Sequence, residues 1–175
     1  MKKADSDYRA FLDILKEELI PAGGCTEPIA IAYAAAKARE VLDCTPVRAE
    51  LVVSNNIIKN VKSVIVPNTN HLKGIPAAAT AGIIAGDASK ELEVISDVTE
   101  AQTKEMAKYL EETEITVEHI DNGCIFDIIV EVFAGKDSAT VHLHRNSQRV
   151  LHRRLRCYTR SDGTGLHGYH RCQPY

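Results

Sequence analysis

Apolar residues recur on one helical face at the start of the chain. Tyr8, Phe11, Leu12, Leu15 and Leu19 follow the i, i+3, i+4, i+7, i+11 spacing, which predicts an amphipathic helix over residues 5–20, ended by Pro21. The next stretch, Ala22-Gly23-Gly24-Cys25-Thr26-Glu27-Pro28, has no periodicity and reads as a turn. It leads into a second helix over about 28–43, with Thr26 as N-cap and Pro28 in the first turn, where its missing N–H costs nothing. That helix is rich in alanine (Ala30, Ala32, Ala34, Ala35, Ala36, Ala38), so a neighbour can approach it closely.

Loose alternation from Val47 to Ser54 predicts a strand. Asn55 to Asn60 reads as a polar turn or a short helical piece, and Val61 to Val66 as a second strand closed by Pro67. Residues 76–84 read as a small-residue helix between Gly74 and Gly86. Residues 98–110 read as a surface helix capped by Asp97 or Ser96. Residues 115–120 and 125–133 read as strands around Asp121-Asn122-Gly123, a hairpin signal. Ser138 to Val141 begins a further strand. These elements predict an α+β fold, a mixed sheet packed against Ala-rich helices.

Composition sharpens this picture. With 45% apolar residues, 5% aromatics and no Trp, the core must be built from Ala, Ile, Val and Leu. Charge divides the chain. Residues 1–141 hold 14 Lys and Arg against 23 Asp and Glu. Residues 142–175 hold 7 Arg, no Lys and a single acid, Asp162, together with five of the seven His. The expected organisation is therefore a domain over 1–141 and an irregular or disordered basic tail over 142–175. A non-native reading frame is one explanation of that tail. The functional alternative is a tail that binds nucleic acid or metal, and the abruptness of the change favours the first. Met1-Lys2-Lys3 is followed by acids rather than an apolar run, and no run is long enough for a membrane span. The five scattered Cys then read as reduced thiols in a cytoplasmic protein.

Cys25 is the sharpest candidate for chemistry. It follows two glycines and precedes a helix N-terminus, where free N–H groups and the helix dipole favour thiolate. A thiolate can act as nucleophile or base, and the same N–H groups could hold a carboxylate. Glu27 is either a proton carrier or a first-turn acid that only complements the dipole. Lys59, framed by Ser54, Asn56 and Asn60, could pair with a carboxylate, or simply belong to a polar turn. His71 reads as an exposed loop residue and His119 as a structural strand residue. Cys44, Cys124, Cys157 and Cys172 show no metal-ligand spacing, so no metal site is assigned; His142 and His144, with Cys157 downstream, could bind an ion only by accident.

Pro21-Ala22-Gly23-Gly24-Cys25-Thr26-Glu27-Pro28-Ile29 resembles the opening motif of the L-cysteine desulfidase family, which is related to the L-serine dehydratase alpha chain. Val53-Ser54-Asn55-Asn56-Ile57-Ile58-Lys59-Asn60, Val66-Pro67-Asn68-Thr69, Gly74-Ile75-Pro76-Ala77-Ala78-Ala79, Leu92-Glu93-Val94 and Asp97-Val98-Thr99 resemble later family blocks, in order. The resemblance covers residues 8–141. Where Asn68 and Asn70 stand, the family usually has Gly, so a differently placed loop is expected. The resemblance implies a lyase that converts L-cysteine to pyruvate, ammonia and sulfide, or L-serine to pyruvate and ammonia, with a [4Fe-4S] cluster. It implies that Cys25 is the base, and that Thr26, Glu27, Ser54, Asn56, Lys59 and Asn60 bind the amino acid. The family's cluster ligands fall in a C-terminal half with no counterpart here, so the chain alone is expected to be inactive. The alternatives are a dehydratase-type subunit completed by a separate cluster-bearing chain, a homodimer, or a non-catalytic amino-acid-binding fragment. A nucleic-acid partner is not favoured.

Overall fold

The computed structural model describes residues 6–19, 22–145, 154–160 and 169–170. The elements in chain order are α1 (Ser6–Glu18), α2 (Thr26–Leu42), β1 (Arg48–Ser54), α3 (Asn55–Val61) and α4 (Gly74–Ala85). A 3-10 helix (Ala88–Glu93) follows, then α5 (Glu100–Glu112), β2 (Glu114–Ile120), β3 (Phe126–Ala134), β4 (Asp137–Arg145), β5 (Arg154–Arg160) and β6 (Tyr169–His170). The fold is α+β. One mixed sheet runs in the order β2-β1-β3-β4-β5-β6. β1 and β2 are parallel, and the other neighbours are antiparallel.

Helix α2 lies on the sheet against β3 and β4, and α4 packs on α2 from the other side. This position explains the alanines. A helix covered on two sides is apolar nearly all round, and α2 buries Ile29, Ile31, Ala32, Ala34, Ala35, Ala36 and Ala38. The sheet contributes Ala49, Leu51, Val53, Ile128, Val130 and Val132 to the same core. Helix α4 comes so close that a Cβ on Gly82 would stand 2.0 Å from the Ala32 carbonyl oxygen. Only glycine fits there. The apolar face expected on and just after α1 is largely uncovered: Phe11, Leu12, Leu15 and Leu19 are exposed, and so is Ile14 beside them.

Several boundaries differ from expectation. Pro21 lies outside the described residues, and α1 stops at Glu18. Cys25, not Thr26, is the N-cap of α2. Val61 to Val66 is not a strand. Val61 closes α3, burying one helical turn after Ile57, and only Ile65 bridges to Lys73. Helix α5 starts later than predicted because Thr99 and Gln102 form a capping box. The Asp121-Asn122-Gly123 turn does not make a hairpin: β1 lies between β2 and β3 and pairs with both. The hairpin is instead β3–β4, turned at Gly135. The tail expected to be irregular from residue 142 does not begin there. β4 runs on to Arg145 because β3 supplies its ladder partners, His142 opposite Ile129 and His144 opposite Asp127. Residues 154–160 and 169–170 are also strands, and the rest of the tail lies outside the described residues.

Candidate functional site

The turn before α2 is held by its two glycines. The Gly23 amide donates to the Leu92 carbonyl at 3.0 Å. A Cβ on Gly24 would stand 2.5 Å from the ring of Pro67. The turn is thus pinned between the 3-10 helix and the loop after α3, which presents Cys25 at the mouth of α2.

There the Cys25 thiol donates to Glu27 Oε2 at 3.2 Å. The Thr26 hydroxyl donates to the same oxygen at 3.4 Å. The other oxygen, Oε1, accepts from Asn60 Nδ2 at 3.1 Å, which ties the turn to α3. Four residues singled out in the sequence therefore form one hydrogen-bonded group. Its electrostatics reverse one expectation. Partial desolvation, then the Glu27 carboxylate, push the Cys25 thiol above its ordinary 9.0. The backbone amides at the helix mouth act the other way and are outweighed. Glu27 is held below its ordinary 4.5, chiefly by the thiol's hydrogen bond. The resting pair is thiol and carboxylate, not thiolate and acid. Both shifts hold the proton on sulfur, and the 3.2 Å contact makes Glu27 the nearest group that can exchange it.

The remaining candidates divide. Asn56 and Lys59 share α3 with Asn60, at helical spacings that put all three on one face. Neither the Asn56 nor the Lys59 side chain has a hydrogen-bond partner among the described residues. Ser54 is not in the group. It is buried, and its hydroxyl donates to the Ile125 carbonyl at 2.9 Å, so it fastens β1 to the start of β3. His71 is exposed in the loop after α3, and His119 is exposed on the edge strand β2. Asn68 and Asn70, which stand where the resembled family usually has glycine, both adopt left-handed backbone (φ 59° and 53°). Asparagine tolerates that region better than other residues with a side chain.

The [4Fe-4S] cluster implied by the resemblance needs several thiolates around one centre. Cys25 and Cys44 flank the 17-residue helix α2 at opposite ends, about 25 Å apart at 1.5 Å per residue. Among the described residues, the one group of three potential ligands contains a single thiol, Cys124. These residues do not fit such a cluster. That group itself, Cys124, Asp127 and His144, was missed in the sequence, where its members lie up to 20 positions apart.

Comparison with known proteins gives similarity without an activity. The chain is 51% identical over 161 residues to a UPF0597 protein of Desulfitobacterium hafniense, covering 86% of this chain and 37% of that one. It is 49% identical over 136 residues to a UPF0597 protein of Lachnoclostridium phytofermentans, covering 78% and 33%. It is 45% identical over 144 residues to one of Fusobacterium nucleatum, covering 80% and 34%. The chain spans about a third of the length of these relatives. No protein-family model and no solved structure matches it. No helix among the described residues is long and apolar enough to cross a membrane.

Proposed function

We propose that this chain is the amino-acid-binding portion of a lyase of the L-cysteine desulfidase type, which converts L-cysteine to pyruvate, ammonia and sulfide. The observation that carries the reading is the Cys25–Glu27–Asn60 group at the mouth of α2. In this reading Cys25, once deprotonated, is the base that removes the α-proton, Glu27 is the group 3.2 Å away that exchanges its proton, and Asn60 fixes the carboxylate. Lys59 and Asn56, on the same face of α3, supply the cation and amide that a substrate carboxylate would engage. The thiolates of an iron–sulfur cluster would have to come from beyond the described residues, and the chain alone is inactive in this reading.

A subunit of the L-serine dehydratase type, completed by a separate chain, is the second reading. It is favoured by the exposed apolar face of α1, which offers a surface for such a partner.

The test is calorimetric titration of the chain with L-cysteine, L-serine and D-cysteine. Saturable binding of an L-amino acid is expected. Lys59→Ala should weaken it at least about tenfold, as for a lost charged hydrogen bond. Binding that ignores Lys59 and Asn60, or no binding of either L-amino acid, overturns the assignment. Sulfide released from L-cysteine by the chain above a Cys25→Ala control would refute its inactivity alone.

A further inference from the structure

On the outer face of the sheet, away from α2, the start of β3 and the end of β4 bring together Cys124, Asp127, His142 and His144. Asp127 and His144 are direct cross-strand partners, and His142 is diagonal to Asp127. The Asp127 carboxylate is buried, with 1% of its side chain exposed. Oδ1 lies 2.6 Å from His142 Nε2. Oδ2 accepts from Asn122 Nδ2 at 2.6 Å. The Asn122 side-chain oxygen Oδ1 in turn accepts from the Cys124 amide at 3.0 Å, so one asparagine side chain positions both the Cys124 backbone and the carboxylate. The Asp-Asn-Gly turn builds this corner.

Two features of the group do not suit a hydrogen-bonded network. His144 Nδ1 is buried without a hydrogen-bond partner. It stands 3.4 Å from Asp127 Oδ2, but not in hydrogen-bonding geometry. His144 Nε2 is 4.0 Å from the Cys124 sulfur, a long contact. One donor atom from each of Cys124, Asp127 and His144 lies within 4.8 Å of the other two. Around a tetrahedral zinc ion, nitrogen and oxygen ligands sit roughly 3.4 Å apart and nitrogen and sulfur roughly 3.6 Å apart, given metal–ligand bonds of about 2.1 and 2.3 Å. The Nδ1–Oδ2 separation matches the first of these; the 4.0 Å contact to sulfur is made by the other ring nitrogen, so a small turn of the His144 ring or the Cys124 side chain is needed to bring one nitrogen, the sulfur and the oxygen, all within 4.8 Å, onto a single ion.

We propose that Cys124, Asp127 and His144 form a zinc-binding site, with His142 as the residue that orients the Asp127 carboxylate. A thiolate with imidazole and carboxylate selects a borderline-soft ion over magnesium or calcium. Three protein ligands leave the fourth position to water or an external ligand. His142 bonds the carboxylate oxygen opposite the ligating one, as outer-shell partners of zinc ligands do. The site ties the 121–125 turn to β4 and is independent of the Cys25 group.

The test uses the full chain with zinc or cobalt(II) chloride as probe. Peptide-resolved alkylation with iodoacetamide needs no variant. Zinc should slow alkylation of Cys124 at least about tenfold, as coordination removes the free thiolate, and leave Cys44 unchanged. Equal protection of both, or of neither, overturns the site. Cobalt should give a thiolate charge-transfer band at one ion per chain. That band should vanish in Cys124→Ser, survive in Cys25→Ala and in a Cys157→Ser/Cys172→Ser double variant, and require about 10- to 100-fold more cobalt in His142→Ala. A band that survives Cys124→Ser also overturns the proposal.

Discussion

Replacing Gly82 by alanine tests the packing that presents the candidate site. The new Cβ would meet the Ala32 carbonyl oxygen at 2.0 Å, where ordinary contact begins at 3.4 Å. The obstacle is backbone, so no rotamer change relieves it. Helices α2 and α4 must part by roughly 1.4 Å, enough to lose more than half of the contact energy along their seam. Gly86 lies on the same seam, 2.6 Å from the Ala36 methyl by the same construction, so the seam cannot pivot to absorb the change. Overpacking of this kind costs about 3 kcal/mol, while alanine in place of a helix-interior glycine returns about 1 kcal/mol. The net loss is about 2 kcal/mol, a roughly thirtyfold fall in the folded-to-unfolded ratio and a Tm lower by about 4–8 °C for a chain of this size. Urea denaturation and a thermal melt followed by circular dichroism read it. A variant as stable as the parent, or more stable, would refute the reasoning. It would mean that Gly82 is only a poor helix former and that the contact is not tight.

Desolvation and then Glu27 hold the Cys25 thiol up, and Glu27→Gln removes the charge while keeping an oxygen acceptor, so Cys25 should react faster with iodoacetamide at neutral pH; slower reaction would show that Glu27 promotes the thiolate at rest. The same change bears on acid stability. Glu27 ionises below its ordinary 4.5 in the fold, so its contribution is present above that value and is lost as pH falls through the lower one. In Glu27→Gln the acid limb of the Tm–pH curve should be flatter below pH 4.5, and an unchanged limb would count against the pairing. Thr80 is fully buried in α4 and its hydroxyl has no partner; Thr80→Val keeps the shape and should raise stability by about 1 kcal/mol in urea. Thr99→Ala breaks the capping box with Gln102 and should cost about 1 kcal/mol, while Gln102→Ala should cost less, because the Thr99 hydroxyl still caps the helix.

Period and composition were enough to locate α2, β1, α4, β3 and the α+β class, because each carries its own burial pattern. They could not assign neighbours. Residues 114–120 and 126–134 meet at an Asp-Asn-Gly turn, and local chemistry favours a hairpin there. Two facts of the whole sheet override it. β3 supplies Ile128, Val130 and Val132 to the core, so it needs a central place. β2 is exposed over most of its length, so it can sit only at an edge. The long connection from β1 through α3, α4 and α5 returns β2 parallel to β1, and the position beside β1 on the other flank is left to β3. In the same way, Val61 looked like the start of a strand because Val64, Ile65 and Val66 follow it. Its burial together with Ile57, four residues earlier, makes it the last turn of a helix.

The two side-chain groups differ in what a sequence can carry. Cys25, Thr26 and Glu27 are adjacent, so their meeting follows from the turn alone; only Asn60 had to be brought from another element. The acid–base sense of the group still could not be read locally. A helix N-terminus argues for thiolate, and a carboxylate two residues on argues against it. The distance of 3.2 Å decides for the carboxylate, since the thiol uses its proton on Glu27 and makes no capping bond to the helix. The second group depends on register throughout. A shift of one residue between β3 and β4 would turn His142 and His144 to the α2 face and leave the buried Asp127 carboxylate with Asn122 but without its histidine partner, at a cost of roughly 1–3 kcal/mol. Asp127 and the two histidines therefore select the register as well as the site. This gives the polar face of β4 a reason to continue past Val141, where charge composition alone placed a boundary.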